Sequence, residues 1–211
     1  MSYLVNNIKA TQEEYFVWLY LEELKEAGFI EDIIFQPGSF TLFEGLPKKF
    51  YKEIIDKKGD IKKVYSKKQF LLNLHVYTAD FKVIWNANKA FTVFKFAQCD
   101  ALKELNSNIF FLAKPLMVIE TKQMLGISYL EVKPSYDQNG KTQMFRSYVQ
   151  PQIWEKYGIY VQIIKPIDLF KQTFIPAKAL EEFYYKIKSK QGQPKFNWEY
   201  RTLEEYLTNK K

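Results

Sequence analysis

YLEVKPSYDQNGKTQMF (129–145) begins as a strand and turns polar almost at once. Tyr129 and Leu130 are strand formers, Val132 points the same way as Leu130, and Pro134, which has no N–H to donate, stops the ladder. Glu131 and Lys133 stand two residues apart, so on an extended chain both point to one face. A carboxylate and an amine are therefore aimed at one spot, immediately before an Asp-Gln-Asn-Gly turn. The segment after the turn, TQMFRSYVQPQIWEKYG (142–158), reads as mostly helical, with Pro151 interrupting or restarting it. GIYVQIIKP (158–166) reads as a further strand. This order lets the helix cover the site and lets the next strand extend the sheet.

Upstream, ATQEEYFVWLYLEELKEAGF (10–29) is an amphipathic helix. Thr11 with Glu14 three residues later is a capping-box signature, and Gly28 is a natural stop. Phe16, Leu19, Tyr20, Leu24 and Ala27 recur at helical spacing. IEDIIFQPGSFTLF (30–43) is strand broken at Pro37-Gly38. The lysine-rich stretch to about residue 68 reads as loop, with a short helix at 48–57. FLLNLHVYTADFKVIWN (70–86) is β-rich, and AFTVFKFAQ (90–98) is placed to pair with it. DALKELN (100–106) suggests a short helix and PLMVIETK (115–122) a strand. PAKALEEFYYKIKSK (176–190) suggests a helix opened by Pro176, QGQP (191–194) a linker, and EYRTLEEYLTNK (199–210) a terminal helix. The plan is α/β, with a mixed sheet, and no internal repeat interrupts it.

At 211 residues the chain is large enough for a real core, and one domain with an elaboration is the expectation. Its hydrophobic fraction of 47% and aromatic fraction of 18% are globular rather than disordered. No apolar run approaches the roughly 20 residues that cross a bilayer, and the opening MSYLVNNIKATQEE carries no secretion signal. Cys99 is the only cysteine, which excludes a disulfide framework and a thiolate cluster and points to a reducing cytoplasm. The net charge of +7 comes from Lys far more than Arg. The run 48–68 holds Lys62, Lys63, Lys67 and Lys68, with Phe50, Tyr51 and Tyr65 interleaved. It reads either as a solvated surface or as a phosphate-contacting one, the aromatics leaning toward nucleic acid. Lys141, at the turn, is a further candidate for phosphate contact.

The single histidine, His75, removes histidine-metal nucleases, zinc hydrolases and most His-dependent triads; in its apolar strand it reads as a hydrogen-bonded core or sheet residue. Cys99 has no activating neighbour and reads as structural, and no Gly-rich phosphate loop is present. Carboxylates and lysines remain. Asp80, inside the strand-forming YTADFKV, can meet Glu131 at a sheet edge and hold a hard divalent cation, for which Mg²⁺ with its oxygen preference is the natural choice and Mn²⁺ a substitute. Lys133 would then position or deprotonate a water, or neutralise charge building on a phosphate. The plainer alternative is that Asp80 and Glu131 pair with lysines on an exposed sheet face. Glu120-Thr121-Lys122 repeats the spacing and competes for the same role, although another strand-like segment follows it directly. Gly-Ile-Tyr at 158–160 echoes another nuclease family, but its Tyr-Ile-Gly partner is missing, and that family is rejected.

Together, Asp80, Glu131-x-Lys133 and the helix acid Glu14 resemble the PD-(D/E)XK nuclease superfamily, and within it a phage-borne branch related to endonuclease I-type Holliday-junction resolvases. The likeness rests on T-x-x-E…AGFIEDIIFQP (11–37), YTADF (77–81), YLEVKP (129–134) and the helix leading into YGIYVQIIKP (157–166), about half the chain. Thr78-Ala79 stand where the family name has a proline, and roughly residues 95–128 separate Asp80 from Glu131. The resemblance implies a restriction-endonuclease-like core with flanking helices. Its blocks would be about 10–45, 70–90 and 128–166, with a β-rich insertion at about 91–127 and a helical extension at about 170–211. It makes Asp80 and Glu131 metal ligands together with the carbonyl of Val132, Lys133 the catalytic lysine and Glu14, rather than Glu13, an added site acid. It implies a Mg²⁺-dependent DNA endonuclease in the host cytoplasm, acting on DNA that includes branched forms, with no membrane partner and a homodimer among the candidate assemblies. The competing expectation is a non-catalytic DNA-binding or virion-associated protein that keeps the fold.

Overall fold

The computed structural model describes residues 3–55, 57–86, 89, 95–97, 109–113, 116–120, 127–134, 140–180 and 201–208. It divides into two compact units, Met1–Pro37 with Ala79–Lys211, and Gly38–Thr78. The division falls inside what the sequence reads as one domain.

The first unit opens with a hairpin of β1 (Tyr3–Val5) and β2 (Ile8–Ala10), joined by Asn6 and Asn7, both at positive φ. A two-residue turn with both φ values positive matches the twist of the strands it joins, and Asn tolerates it better than most residues. Helix α1 (Gln12–Glu26) follows, capped as the sequence predicts: the Glu14 N–H donates to Thr11 Oγ1 and the Thr11 N–H to Glu14 Oε2, at 3.2 and 2.7 Å. Phe16, Leu19, Tyr20 and Leu24 are buried and Ala27 partly so. Gly28 takes φ +80°, which reverses the chain into β3 (Ile30–Phe35).

The main sheet is mixed. β3 pairs antiparallel with β8 (Phe81–Trp85), β8 antiparallel with β12 (Ile127–Val132), and β12 parallel with β13 (Val161–Ile164). Parallel neighbours need a crossover. Here it is α2 (Lys141–Met144), a π-helical turn (Phe145–Val149) and α3 (Gln150–Tyr157), with Pro151 in the first turn of α3, where its missing N–H costs little. Residues 142–157 are thus helical throughout, Gly158 ends the run at φ +65°, and the break within it is a change of helical register. Among the described residues β11 (Leu116–Glu120) meets β12 at Ile119 and Ile127; β11 also pairs with β10 (Ile109–Ala113), which pairs with β9 (Lys95–Ala97). The expected pairing of 90–98 with 70–86 is therefore wrong: 95–97 finds its partner in β10, a pairing that local pattern does not encode. The described parts of 91–127 are β-rich, as expected; residues 100–106 lie outside the described residues.

One core binds this unit. Phe81, Val83, Trp85, Leu130 and Ile164 are at most 1% exposed, and Trp85 Nε1–H donates to Ser128 Oγ at 2.9 Å. The C-terminal extension joins it. α4 (Pro166–Gln172) and Phe174 pack on α1, with the Tyr20 and Phe174 rings stacked 4.3 Å apart, and Leu203 and Tyr206 of α5 (Leu203–Thr208) are buried. Residues 177–180 are helical after Pro176, and most of 181–200 lies outside the described residues. Among the described residues no helix is long and apolar enough to cross a membrane.

The second unit contains β4 (Ser39–Phe43) paired with β7 (His75–Thr78), and a long antiparallel ribbon of β5 (Leu46–Ile55) and β6 (Ile61–Leu72). The expected loop and short helix at 48–57 are replaced by strand. Val64, Tyr65, Phe50, Ile54 and Ile55 are β-branched or aromatic residues that suit a pleated ribbon, and the lysines between them hide the period. His75 opens β7 and is exposed, a sheet residue but not a core one.

Candidate active site

Asp80 sits in the one-residue gap between Ala79 and β8, where the backbone leaves the ladder yet stays fully bonded. Its N–H donates to Leu130 O at 3.0 Å, and its carbonyl accepts the Gln36 N–H at 2.8 Å. Its Oδ2 accepts the Val132 N–H at 2.6 Å. Three bonds, two from β12 and one from the residue after β3, thus fix Asp80 against the C-terminal end of β12, which carries the acid-x-lysine pair.

Glu131 is buried although it lies on a strand end, and its Oε1 accepts a hydrogen bond from Lys133 Nζ. The two side chains share a face, as their spacing predicts. Lys133 is steadied twice more: its N–H donates to Ile164 O at 2.8 Å, and its Nζ lies 5.5 Å from the centre of the Phe145 ring. Phe145 is the first residue of the π-helical turn, and the extra residue per turn there shifts the facing side of the helix. Sequence reasoning missed it, because an aromatic at that spacing reads as core.

The electrostatics single out Asp80. Its carboxyl is pushed up to about 8, first by burial, then by the Glu131 carboxylate, with Glu14 adding to the rise; the Val132 N–H and Lys133 oppose it. Glu14 therefore lies close enough for its charge to reach Asp80, while its own carboxylate also closes the helix cap. Asp80, Glu131, Lys133 and Glu14 are brought to one neighbourhood.

The other candidates belong to other elements. Lys62, Lys63, Lys67 and Lys68 belong to β6 in the second unit. Lys141 starts α2 and is exposed. Glu120 ends β11, and its side chain and all of Lys122 lie outside the described residues, as does Cys99.

Among the described residues no three His, Cys, Asp or Glu side chains form a closed metal cage. A structural zinc site needs such a cage, whereas Mg²⁺ binds through one or two carboxylates and keeps its waters or takes substrate oxygens. Two convergent carboxylates, one of them raised by the other's charge, are a donor set that a hard cation fits. No family model, curated protein or solved structure matches the chain.

Proposed function

We propose that the protein is a metal-dependent DNA endonuclease that cleaves phosphodiester bonds, with branched DNA as its favoured substrate class. The observation that carries the reading is the bond from the Val132 N–H to Asp80 Oδ2. It ties the lone acid at the start of β8 to the strand end bearing Glu131 and Lys133. The succession α1, β3, β8, β12, helical crossover, β13 supports a restriction-endonuclease-like core, with Glu14 on the first helix, as the resemblance to the PD-(D/E)XK superfamily implies.

In this reading Asp80, Glu131 and the carbonyl of Val132 hold Mg²⁺, which supplies Lewis acidity and lowers the pKa of a water. Asp80 and Glu131 crowd negative charge that Lys133 offsets in part and that a bound cation would offset further. Lys133, held by Phe145 and by Glu131, offers N–H donors to the attacking water or to the phosphate oxygens as charge builds on them. Glu14 adds a third carboxylate, rigid because the helix cap immobilises it, that can accept a hydrogen bond from a water of the site.

The test is cleavage of a four-way junction, a linear duplex and a single strand by purified protein, with Mg²⁺ or with EDTA. Mg²⁺-dependent cuts, most frequent on the junction, are the expected result. Intact DNA under every condition, with DNA still bound, would favour the non-catalytic DNA-binding reading.

A further inference from the structure

The β5–β6 ribbon has no face turned to a core. Among the described residues of Gly38–Thr78 none is buried, and Phe50, Tyr65 and Ile54 are 42–43% exposed on the ribbon. A two-stranded ribbon is marginal in water on its own, and large exposed apolar side chains mark a surface that meets something.

The register shows what. Residues opposite each other in an antiparallel pair share a face. One face takes the pairs Phe50–Lys67, Lys52–Tyr65 and Ile54–Lys63, so each pair sets a lysine position against an aromatic or aliphatic one. Lys48, opposite Gln69, adds a further lysine position to this face. No acid falls on this face; Glu53, paired with Val64, belongs to the other. The Lys63 ammonium lies 4.8 Å from the centre of the Tyr65 ring, so cation and π-face already share one surface.

We infer that this face of the ribbon binds single-stranded nucleic acid, its lysines following the phosphates and the Phe50 and Tyr65 rings stacking on unpaired bases. Three features choose this occupant. Gly38–Thr78 contains no arginine and only Gln69 and Asn73 as side-chain amides, so the planar groups that make paired bonds to base edges in a duplex groove are few. Exposed rings among lysines are what an unpaired strand uses, because every base offers a π-face once it is unstacked. Lysine is depleted from protein–protein interface cores, which argues against a protein partner on a face where every pair holds a lysine position or lies beside one. The inference rests on the nucleic-acid part of the reading above and not on its chemistry.

The experiment measures anisotropy of a labelled oligothymidine of about 16 nucleotides, a length suited to single-strand sites, and of a duplex of equal length. Both are titrated in EDTA with the full chain carrying Asp80→Asn, so that a failed nuclease reading leaves the outcome untouched. Phe50→Ala with Tyr65→Ala should weaken single-strand binding about tenfold or more and leave duplex binding unchanged. Phe50→Leu with Tyr65→Leu, which keeps apolar bulk and removes the π-face, should weaken it comparably. Phe50→Tyr with Tyr65→Phe should restore it. Lys48→Ala with Lys63→Ala should lower the single-strand salt slope by about 1.4 units, about 0.7 for each lost phosphate contact. Single-strand binding that survives loss of both rings, or equal losses on duplex, would overturn the inference. Ring-dependent self-association in sedimentation without DNA would overturn it as well.

Discussion

Around Asp80, Glu131 is buried, Asp80 and Glu14 are half-buried, and each is held by a named donor: the Val132 N–H on Asp80, the Lys133 ammonium on Glu131, the Thr11 N–H on Glu14. In Gly38–Thr78, among the described side chains, lysines such as Lys48, Lys49 and Lys63 stand at the surface and their apolar neighbours are exposed with them. The same two residue classes, charged and aromatic, are therefore used in opposite ways. In one unit burial sharpens a few charges into a site, because low dielectric strengthens each interaction and raises the cost of an unpaired one. In the other, exposure keeps many charges soft and available. The first arrangement suits bond-breaking and the second suits grip.

The largest effect that can break this comparison is on stability. Phe81→Ala, at a fully buried ring in β8, should lower unfolding free energy by about 3–5 kcal/mol. Tyr51→Ala, at a ring 71% exposed in β5, should stay within about 0.5 kcal/mol. Urea unfolding of both variants measures the difference, and equal losses would mean that the ribbon has a core of its own.

Next in size is catalysis. Asp80→Asn, Glu131→Gln and Lys133→Ala should each cut the cleavage rate by about a hundredfold or more, read by single-turnover kinetics on a junction. DNA binding should hold or strengthen for the two carboxylate changes, since they remove negative charge near phosphate. Full-rate cleavage by Glu131→Gln would transfer the role to Glu120 and Lys122.

A smaller effect is the response to pH. With its carboxyl pushed up to about 8, Asp80 in the metal-free fold binds its proton more tightly than the unfolded chain does. The native state then carries the extra proton between the ordinary Asp range and about pH 8, so stability falls as pH rises through that window. Thermal melts of the metal-free protein should show the decline, Asp80→Asn should flatten it, and Mg²⁺ should oppose it by binding the ionised form. A melting temperature that climbs over this range would contradict the crowding of carboxylates at the site.

The smallest is the helix cap. Thr11→Ala should cost about 1 kcal/mol, whereas Glu14→Gln keeps an N3 partner for the Thr11 N–H and should leave stability nearly unchanged. If Glu14 also serves the site, Glu14→Gln will slow cleavage while its melting curve overlays that of the wild type.

The first helix, its Thr11–Glu14 cap and its Gly28 stop were legible because their signals are local: one hydroxyl, one carboxylate three residues on, one residue able to take positive φ. The end of β12 was legible for the same reason, since Pro134 ends the ladder and the two-residue spacing puts Glu131 and Lys133 on one face. Pairing across long separations was not. Nothing in AFTVFKFAQ says that Phe96 lies beside Phe111 rather than beside β8. The ribbon was hidden by its own chemistry, because a strand with no buried face has no apolar-in, polar-out alternation to detect. The short helix α4 went unread in the strand-like run before it, and the raised carboxyl of Asp80 depends on neighbours that meet only after folding.

The hydrogen bond from the Gln36 N–H to the Asp80 carbonyl carries one more consequence. Gln36, itself at φ +49°, follows β3, and Asp80 precedes β8, so the bond closes the excursion that Gly38–Thr78 makes from the chain. An excursion whose ends are already fastened can change length at little thermodynamic expense: doubling a flexible loop adds only about 0.6 kcal/mol to its closure. The ribbon is consequently the part of this protein freest to be lengthened, shortened or exchanged over evolutionary time. The acids around Asp80 would keep their places while the Gly38–Thr78 unit was rebuilt between two neighbouring strands.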